Sequence, residues 1–356
     1  MRDARLDLGQ VAPDLASLPG GTIPMPPDDL AGGPLPPSPL GDSPADSSAG
    51  GGWLTIAAVS SRALALPTKT RPKRLVLLAS DGAPHAFLLK GRDDLRVDER
   101  VMQFMRAADA VTAKSSAAGG DAGGDAQPLA ARRYSVTPLG PRAGLVQWVR
   151  GTVSLFGLFR AWQASAAARA GAVAAARRGA DGASGGGGGG VPRGAPRKDW
   201  PRPVLRGALL ALSREAPRHL LARELWASAG SAAAWWARRR RCCESAAAAS
   251  ALGWVLGIGD RHLDNILLDR AGGGLAHIDF SVCLDKGAAL RVPEVVPFRL
   301  TPMLQARGWG WAALGPTGKE GAFRAALERA LAALRRAAGP LGGLLALLLQ
   351  DPGVDW

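Results

Sequence analysis

Tyrosine occurs once in the 356 residues, phenylalanine seven times and cysteine three times. Cys242, Cys243 and Cys283 cannot make a disulfide framework, because neighbours such as Cys242 and Cys243 do not readily bridge each other. No Cys/His spacing matches a zinc site. A reducing compartment fits this usage. The start, Met1-Arg2-Asp3-Ala4-Arg5, lacks the apolar core of a signal peptide. The longest apolar run, Leu341 to Leu349, contains two glycines and is far too short to span a bilayer. No membrane association is expected, and the expected location is cytoplasmic and also nuclear. The polyglycine run Gly185 to Gly190 has no Gly-Lys-Ser/Thr after it and no strand before it, which excludes a phosphate-binding loop there.

Alanine, glycine, arginine and proline are abundant instead, and the net charge is +14. Much of the excess is arginine scattered through Ala-rich sequence, with runs at Arg132-Arg133, Arg177-Arg178 and Arg238 to Arg241. Aromatic residues do not interleave with these runs as a base-stacking platform requires. The runs are read as a solvated basic face, and a nucleic-acid or acidic-partner surface is the alternative.

Residues 20 to 52 are rich in Pro, Gly, Ser and Asp and cannot repay their ordering entropy, so residues 1–52 are read as a mostly disordered segment. Residues 164–199, which contain the polyglycine run, are read as a low-complexity insertion, and Ser115 to Gln127 as a similar loop. Between these tracts the pattern sharpens. Two apolar runs, Arg74 to Ala79 and Ala86 to Lys90, flank Asp81-Gly82 and predict a hairpin. Apolar residues at helical spacing predict a helix from Asp94 to Val111. Strands are predicted at Tyr134 to Pro138 and Leu145 to Val149. Beyond the insertion, helices are predicted at Pro203–Leu212, Leu220–Ala229, Ser245–Leu256 and Gly321–Ala337, the last with Phe323, Leu327, Leu331 and Leu334 on one stripe and ended by Pro340. The expected fold is α+β and bilobal: a small β-rich lobe over residues 53–149, then a larger helical lobe over 150–356, with a nucleotide between them.

The run Gly259-Asp260-Arg261-His262-Leu263-Asp264-Asn265 leads to His277-Ile278-Asp279-Phe280. Asp260 and Asn265 have the spacing of a kinase catalytic loop, in which the aspartate orients the attacking hydroxyl and the asparagine ligates a metal. Two short strands, Ile266 to Asp269 and Leu275 to Ile278, are expected to turn at Ala271 to Gly274 and return Asp279 to that metal. His262 is placed to donate a proton to the charge that develops on the transferring group. A surface ion pair is the structural alternative for Asp260-Arg261, and His277 is given a structural role behind the catalytic residues. A generic Asp/His metal hydrolase could use similar groups but would leave the upstream lobe unexplained. Lys90 ends a strand and could ground the phosphates, with Asp98 or Glu99 as its partner. Thr68-Lys69-Thr70 stands where a phosphate-covering loop would sit, without its usual glycines. Trp148 is either an adenine platform or a core tryptophan.

These segments, with Pro297 to Thr301 and Leu89 to Arg100, resemble the phosphatidylinositol-3-kinase-related protein kinases, in which the loop order is Asp-Arg-His. Leu66 to Lys73, Arg133 to Gly140, Ala222 to Trp226, Val282 to Glu294 and Asp351 to Trp356 are similar to the branch of that family acting in nonsense-mediated mRNA decay. The resemblance runs from about Leu54 to Trp356. It implies that Lys90 contacts ATP phosphates and is held by Asp98, that Thr68 lies over the phosphates, and that Trp148 and Val149 form the adenine hinge with Tyr134 in the nucleotide pocket. It implies Asp260 as base, His262 as transition-state donor, Asn265 and Asp279 as ligands for Mg²⁺ or Mn²⁺, and Phe280 to Arg299 as the activation segment. A protein substrate is implied, the surveillance RNA helicase phosphorylated at Ser or Thr before Gln, together with regulatory subunits of a decay-kinase complex. A phosphoinositide kinase and a non-catalytic kinase-fold scaffold are the alternatives. Ser281 departs from the glycine that many kinases carry after Asp-Phe. Family members also carry a helical solenoid before the catalytic domain and a short tail after it. This sequence contains neither and is read as a catalytic-domain fragment.

Overall fold

The computed structural model describes residues 4–26, 54–68, 70–118, 129, 131–164, 200–217, 219–290, 293–304, 321–354 and 356. The polyglycine run and residues 165–199 of the expected insertion lie outside them, as do Lys69 and Arg291.

A seven-stranded antiparallel sheet forms the small lobe, in the order β1-β3-β4-β5-β7-β6, with β2 also paired to β4. Its strands are β1 (Ala4–Asp7), β2 (Ile56–Val59), β3 (Arg62–Ala65), β4 (Lys73–Ala79), β5 (Pro84–Gly91), β6 (Val136–Gly140) and β7 (Ala143–Gln147). The β4–β5 hairpin turns where the sequence predicts it. Gly82 takes φ 82°, and Pro84 is the first residue of β5, where no ladder N–H is demanded of it.

The N-terminal segment differs from expectation. β1 pairs along β3, and the Asp7 side chain accepts the Gly9 N–H at 2.9 Å to cap the short helix α1 (Leu8–Val11). A second short helix, α2 (Pro13–Ala16), follows. Leu8 is buried against Ile56, Leu75, Leu77 and Phe87. Residues 4–26 are thus ordered rather than disordered. Their order comes from the unpaired edge of β3 and from Leu8, backed by the partly buried Leu6, Ala12, Leu15, Leu18 and Met25 on the same cluster.

Helix α3 (Arg96–Ala118) packs its Val97, Val101, Met102, Met105 and Ala108 into a core shared with the large lobe. The chain enters that lobe through β8 (Thr152–Ser154), the edge of a three-stranded antiparallel sheet with β9 (Ile266–Asp269) and β10 (Leu275–His277). The remaining helices are α4 (Leu155–Ala164), α5 (Arg202–Glu215), α6 (Leu220–Ser228), α7 (Ala232–Val255), α8 (Ala322–Arg336) and α9 (Ala338–Leu349).

α7 is the central strut of the large lobe. Ser231 caps it by accepting the Ala234 N–H at 3.1 Å. Its second half is a buried run of small residues, Ser245 to Ala251, which lets neighbouring elements approach closely. α7 starts thirteen residues before the expected Ser245, so the run Arg238 to Arg241 is helical. The run is not simply a solvated face: Arg239 is buried beneath Trp235 and Trp236. The buried stripe of α8 is Phe323, Ala326, Ala330 and Leu334, with Leu327 and Leu331 flanking it. Alanines at the closest approach carry too little hydropathy to mark the stripe's centre in sequence. Pro340 falls in the first turn of α9, which leaves α8 at a bend of 76°. Among the described residues, no single helix is long and apolar enough to cross a membrane.

Candidate active site

The loop after α7 is shaped by close approaches. Gly257 takes φ 58°, and a Cβ there would lie 2.2 Å from the Leu284 carbonyl oxygen. Only glycine fits such a contact at positive φ. The Gly259 N–H then donates to Val282 O at 2.9 Å, and Asp260 adopts φ 51°. The loop closes on itself: His262 N–H reaches Asp260 O at 2.9 Å, Asn265 N–H reaches His262 O at 2.9 Å, and the Asn265 side-chain amide donates to Asp260 O at 3.0 Å. One turn therefore carries Asp260, His262 and Asn265. The His262 Nε2 to Asp260 Oδ2 distance is 3.8 Å, and both side chains are about half exposed, at 52 % and 48 %. They are open to a substrate.

β9 and β10 form the hairpin that the sequence predicts, with Ile266 opposite His277. Ile278 N–H donates to Asn265 O at 3.0 Å, extending the ladder by one bond. Asp279, at φ 63°, follows directly and accepts the Ser281 hydroxyl at 2.8 Å. The next amide, Phe280 N–H, donates to the buried carboxylate of Asp98 at 3.0 Å.

Arg261 joins the two loops. Its guanidinium donates to Gly259 O and to Ile278 O, each at 2.7 Å, and to Asp279 O, and it stacks on the Phe280 ring at 5.3 Å. The backbones bearing Asp260 and Asp279 are thus fastened to one buried cation. Burial, with Arg261 nearby, pushes the His277 imidazole down to about 3, so it sits neutral behind the loop.

Lys90, on β5, pairs with Asp93 at 3.3 Å. Asp93 is thus the ion-pair partner of Lys90, and Asp98, expected to hold it, is the carboxylate that raises its pKa most. Asp98 acts on Lys90 through space and spends its hydrogen bond on Phe280. Burial works to lower the Lys90 pKa, but the carboxylates of Asp98, Asp279 and Asp93 outweigh it and the net shift is upward. Burial likewise drives Asp98 up to about 6 against the Phe280 amide and Lys90.

Tyr134 is only 1 % exposed, and burial, with Asp98 and Asp279 nearby, pushes its phenol well above the ordinary value. It lies deep in the site, with Asp98, Arg261 and Asp279 around it. Trp148 and Val149 lie in the segment joining the two sheets. Trp148 N–H donates to Ala86 O at 2.9 Å and its ring carries the Arg74 guanidinium at 5.3 Å, while the Val149 carbonyl accepts the Thr152 hydroxyl at 2.8 Å. Thr68 is exposed at a turn where its carbonyl accepts Arg71 N–H at 3.1 Å. No hydrogen bond or ion pair among the described residues joins Thr68 to the other site residues.

Among the described residues, no group of three His, Cys, Asp or Glu side chains could hold a metal. The donors present still suit a magnesium-like ion, which keeps several waters and takes one or two protein oxygens plus substrate phosphates. Asp279 is a carboxylate, and the Asn265 amide nitrogen is committed to Asp260, which turns its Oδ1 the other way.

Three residues escaped the sequence reading. Asp93 is three residues from Lys90, a spacing that could have flagged it. Arg261 looked like half of a surface ion pair. Glu294 accepts the Asp260 N–H at 2.9 Å from thirty-four residues away, and no local pattern announces such a contact.

Comparison with known proteins shows the family. Residues 84–356 match the family model described as phosphatidylinositol 3- and 4-kinase. The serine/threonine-protein kinase Smg1 of Drosophila melanogaster is 39 % identical over 317 residues, which covers 86 % of this chain and 10 % of that protein. SMG1 of Danio rerio is 38 % identical over 319 residues, covering 85 % and 8 %. The chain thus spans about a tenth of the length of these relatives. The serine/threonine-protein kinase TOR of Oryza sativa subsp. japonica is 31 % identical over 315 residues, covering 88 % of this chain and 12 % of TOR. Among solved structures, the FAT and kinase domain of CtTel1 superposes with a TM-score of 0.63 at 24 % identity, covering 95 % of this chain and 23 % of that one, and this likeness shows the fold. With the bilobal fold, the Arg261-fastened loops and the match over 84–356 in agreement, the chain belongs to the phosphatidylinositol 3- and 4-kinase family.

Proposed function

We propose that this chain is the catalytic core of an ATP-dependent Ser/Thr protein kinase of the phosphatidylinositol-3-kinase-related type. The observation that carries the reading is Arg261, which holds the backbones of Asp260 and Asp279 against each other while Phe280 engages Asp98 near Lys90. Phosphoryl transfer needs positioning and charge neutralisation more than covalent chemistry, and these residues provide both. Lys90 neutralises phosphate charge. Asp260 orients the substrate hydroxyl and takes its proton. His262, exposed beside Asp260, donates toward the charge that develops on the transferred group. Asn265 and Asp279 would hold Mg²⁺ or Mn²⁺, which when bound neutralises the phosphates. Thr68 would lie over the phosphates, and Trp148 and Val149 would border the adenine.

The similarity to Smg1 relatives supports a finer proposal. The substrate is a protein of nonsense-mediated mRNA decay, its RNA helicase, modified at Ser or Thr followed by Gln in company with regulatory subunits. The free cysteines, two of them buried, support a reducing compartment, cytoplasmic or nuclear.

The test is transfer of labelled γ-phosphate by the full chain to three acceptors: a Ser-Gln peptide, its Ser-Ala counterpart and phosphatidylinositol vesicles. Transfer to the Ser-Gln peptide above the other two is expected. Transfer to vesicles but not to peptide would establish the lipid-kinase reading instead.

A further inference from the structure

α6 and the first turns of α7 enclose a groove of roughly 810 Å³, lined by His219, Leu220, Arg223, Glu224, Trp226 and Trp235 among others. None of these residues belongs to the site described above. Trp226 is 57 % exposed, and Trp236, beside Trp235 on α7, is 47 % exposed. Exposed indoles next to arginines are the composition of interface hot spots. The Trp226 and Trp235 rings meet edge to face at 5.3 Å.

Arg239 underlies the aromatic cluster. Its guanidinium lies 4.3 Å from the Trp235 ring centre and 4.9 Å from that of Trp236. The residue is 5 % exposed and its Nε has no hydrogen-bond partner. Among the described residues no carboxylate pairs with it. The indoles of Trp235 and Trp236 cover it. Ring faces attract a cation, yet they do not replace the counter-ion that a covered charge requires. The nearby acids are already engaged, Glu224 with Arg270 at 2.5 Å and Glu244 with Arg240 at 3.8 Å. Arg223 is exposed in the groove and has no acidic partner among the described residues. The groove therefore offers apolar area beside one exposed cation, Arg223, with the buried charge of Arg239 behind its Trp235 wall.

We propose that this groove docks an acidic segment of a partner protein, with a carboxylate facing Arg223 and an apolar side chain seated against Trp226. A nucleic-acid strand fits less well. Base stacking needs open ring faces, whereas Trp235 is covered by Arg239 on a face and met by Trp226 at right angles. The proposal is independent of the kinase reading.

The test is fluorescence anisotropy of a labelled synthetic peptide of Asp, Glu and Leu titrated with the full chain. Arg223→Glu alters an exposed side chain and should leave the melting temperature unchanged, whereas Trp226→Ala also loses the ring contact with Trp235 and should lower it slightly without unfolding the chain. Each is expected to weaken binding about tenfold, or about 1.4 kcal/mol. Affinity for the unaltered chain should fall as salt is raised. Both variants should phosphorylate a peptide lacking acidic residues at the unaltered rate, which separates docking from catalysis. The proposal is overturned if the acidic peptide does not bind, if neither variant weakens it, or if a single-stranded oligonucleotide outcompetes it at the groove.

Discussion

Lys90 shows how the site keeps charges where burial alone would remove them. Three carboxylates, Asp93, Asp98 and Asp279, act on it, so losing one should hurt less than losing the cation. Lys90→Met is expected to raise the KM for ATP and lower kcat at least about a hundredfold, the scale set by removing one transition-state charge partner. Asp93→Asn should cost less than about tenfold, because Asp98 and Asp279 remain; steady-state kinetics of both variants check the order. Asp98 adds a pH signature. Its folded pKa of about 6 stands above the ordinary value of 3.8. The folded chain therefore binds the proton more readily than the unfolded chain across that window, and this group's contribution to stability falls as pH rises through it. Below about 6, Asp98 is neutral and Lys90 loses one counter-charge. An acid limb near pH 6 is expected in kcat/KM for ATP, and Asp98→Asn should flatten it; a limb that persists unchanged in the variant assigns it to another group. At this scale the sequence was informative where spacing is chemistry, as for Asp260 with Asn265. It was silent where a partner arrives through the fold, as Glu294 does on the Asp260 amide.

At the scale of elements, the turn after α7 and the β9–β10 hairpin set the geometry. Gly257→Ala should destabilise the chain by about 2 kcal/mol or more, since a positive φ and a backbone clash act together. Thermal melting reads this directly, and an unchanged melting temperature would show that the contact with Leu284 is not rigid. His277, opposite Ile266 in the same hairpin, carries a second pH dependence. Its folded pKa of about 3 lies below the ordinary 6.5, so the unfolded chain binds the proton more readily between them. Its contribution to stability is complete above about 6.5 and is lost progressively as pH falls below that. His277→Gln should therefore flatten the acid side of the stability profile measured by denaturant titration. The hairpin was legible because two apolar runs surround a glycine-rich turn. The first half of α7 was not, because Arg238 to Arg241 read as solvent-facing charge while Trp235 and Trp236 bury Arg239. β1 was not legible either, since an added edge strand needs backbone partners rather than a pattern.

Across the whole molecule, the lobes meet where α3 hands Asp98 to Phe280, and the large lobe meets itself where Arg261 bridges its two loops. The end of the chain also bears on α3, through Arg100 to Asp351 at 2.6 Å. The bilobal division was readable in sequence because a β-rich segment precedes an Ala/Leu-rich one. The seating of α3 against both lobes was not readable, because its core partners come from α7, α8, α9 and Phe280. This arrangement makes one claim above the others: Asp260 serves the transfer step rather than nucleotide binding. The direct measurement is single-turnover transfer of labelled γ-phosphate to a Ser-Gln peptide by the unaltered chain and by Asp260→Ala, with nucleotide affinity measured on both. We predict equal affinity for ATP and a transfer rate reduced about a hundredfold to ten-thousandfold in the variant. Equal transfer rates in the two proteins would contradict the account.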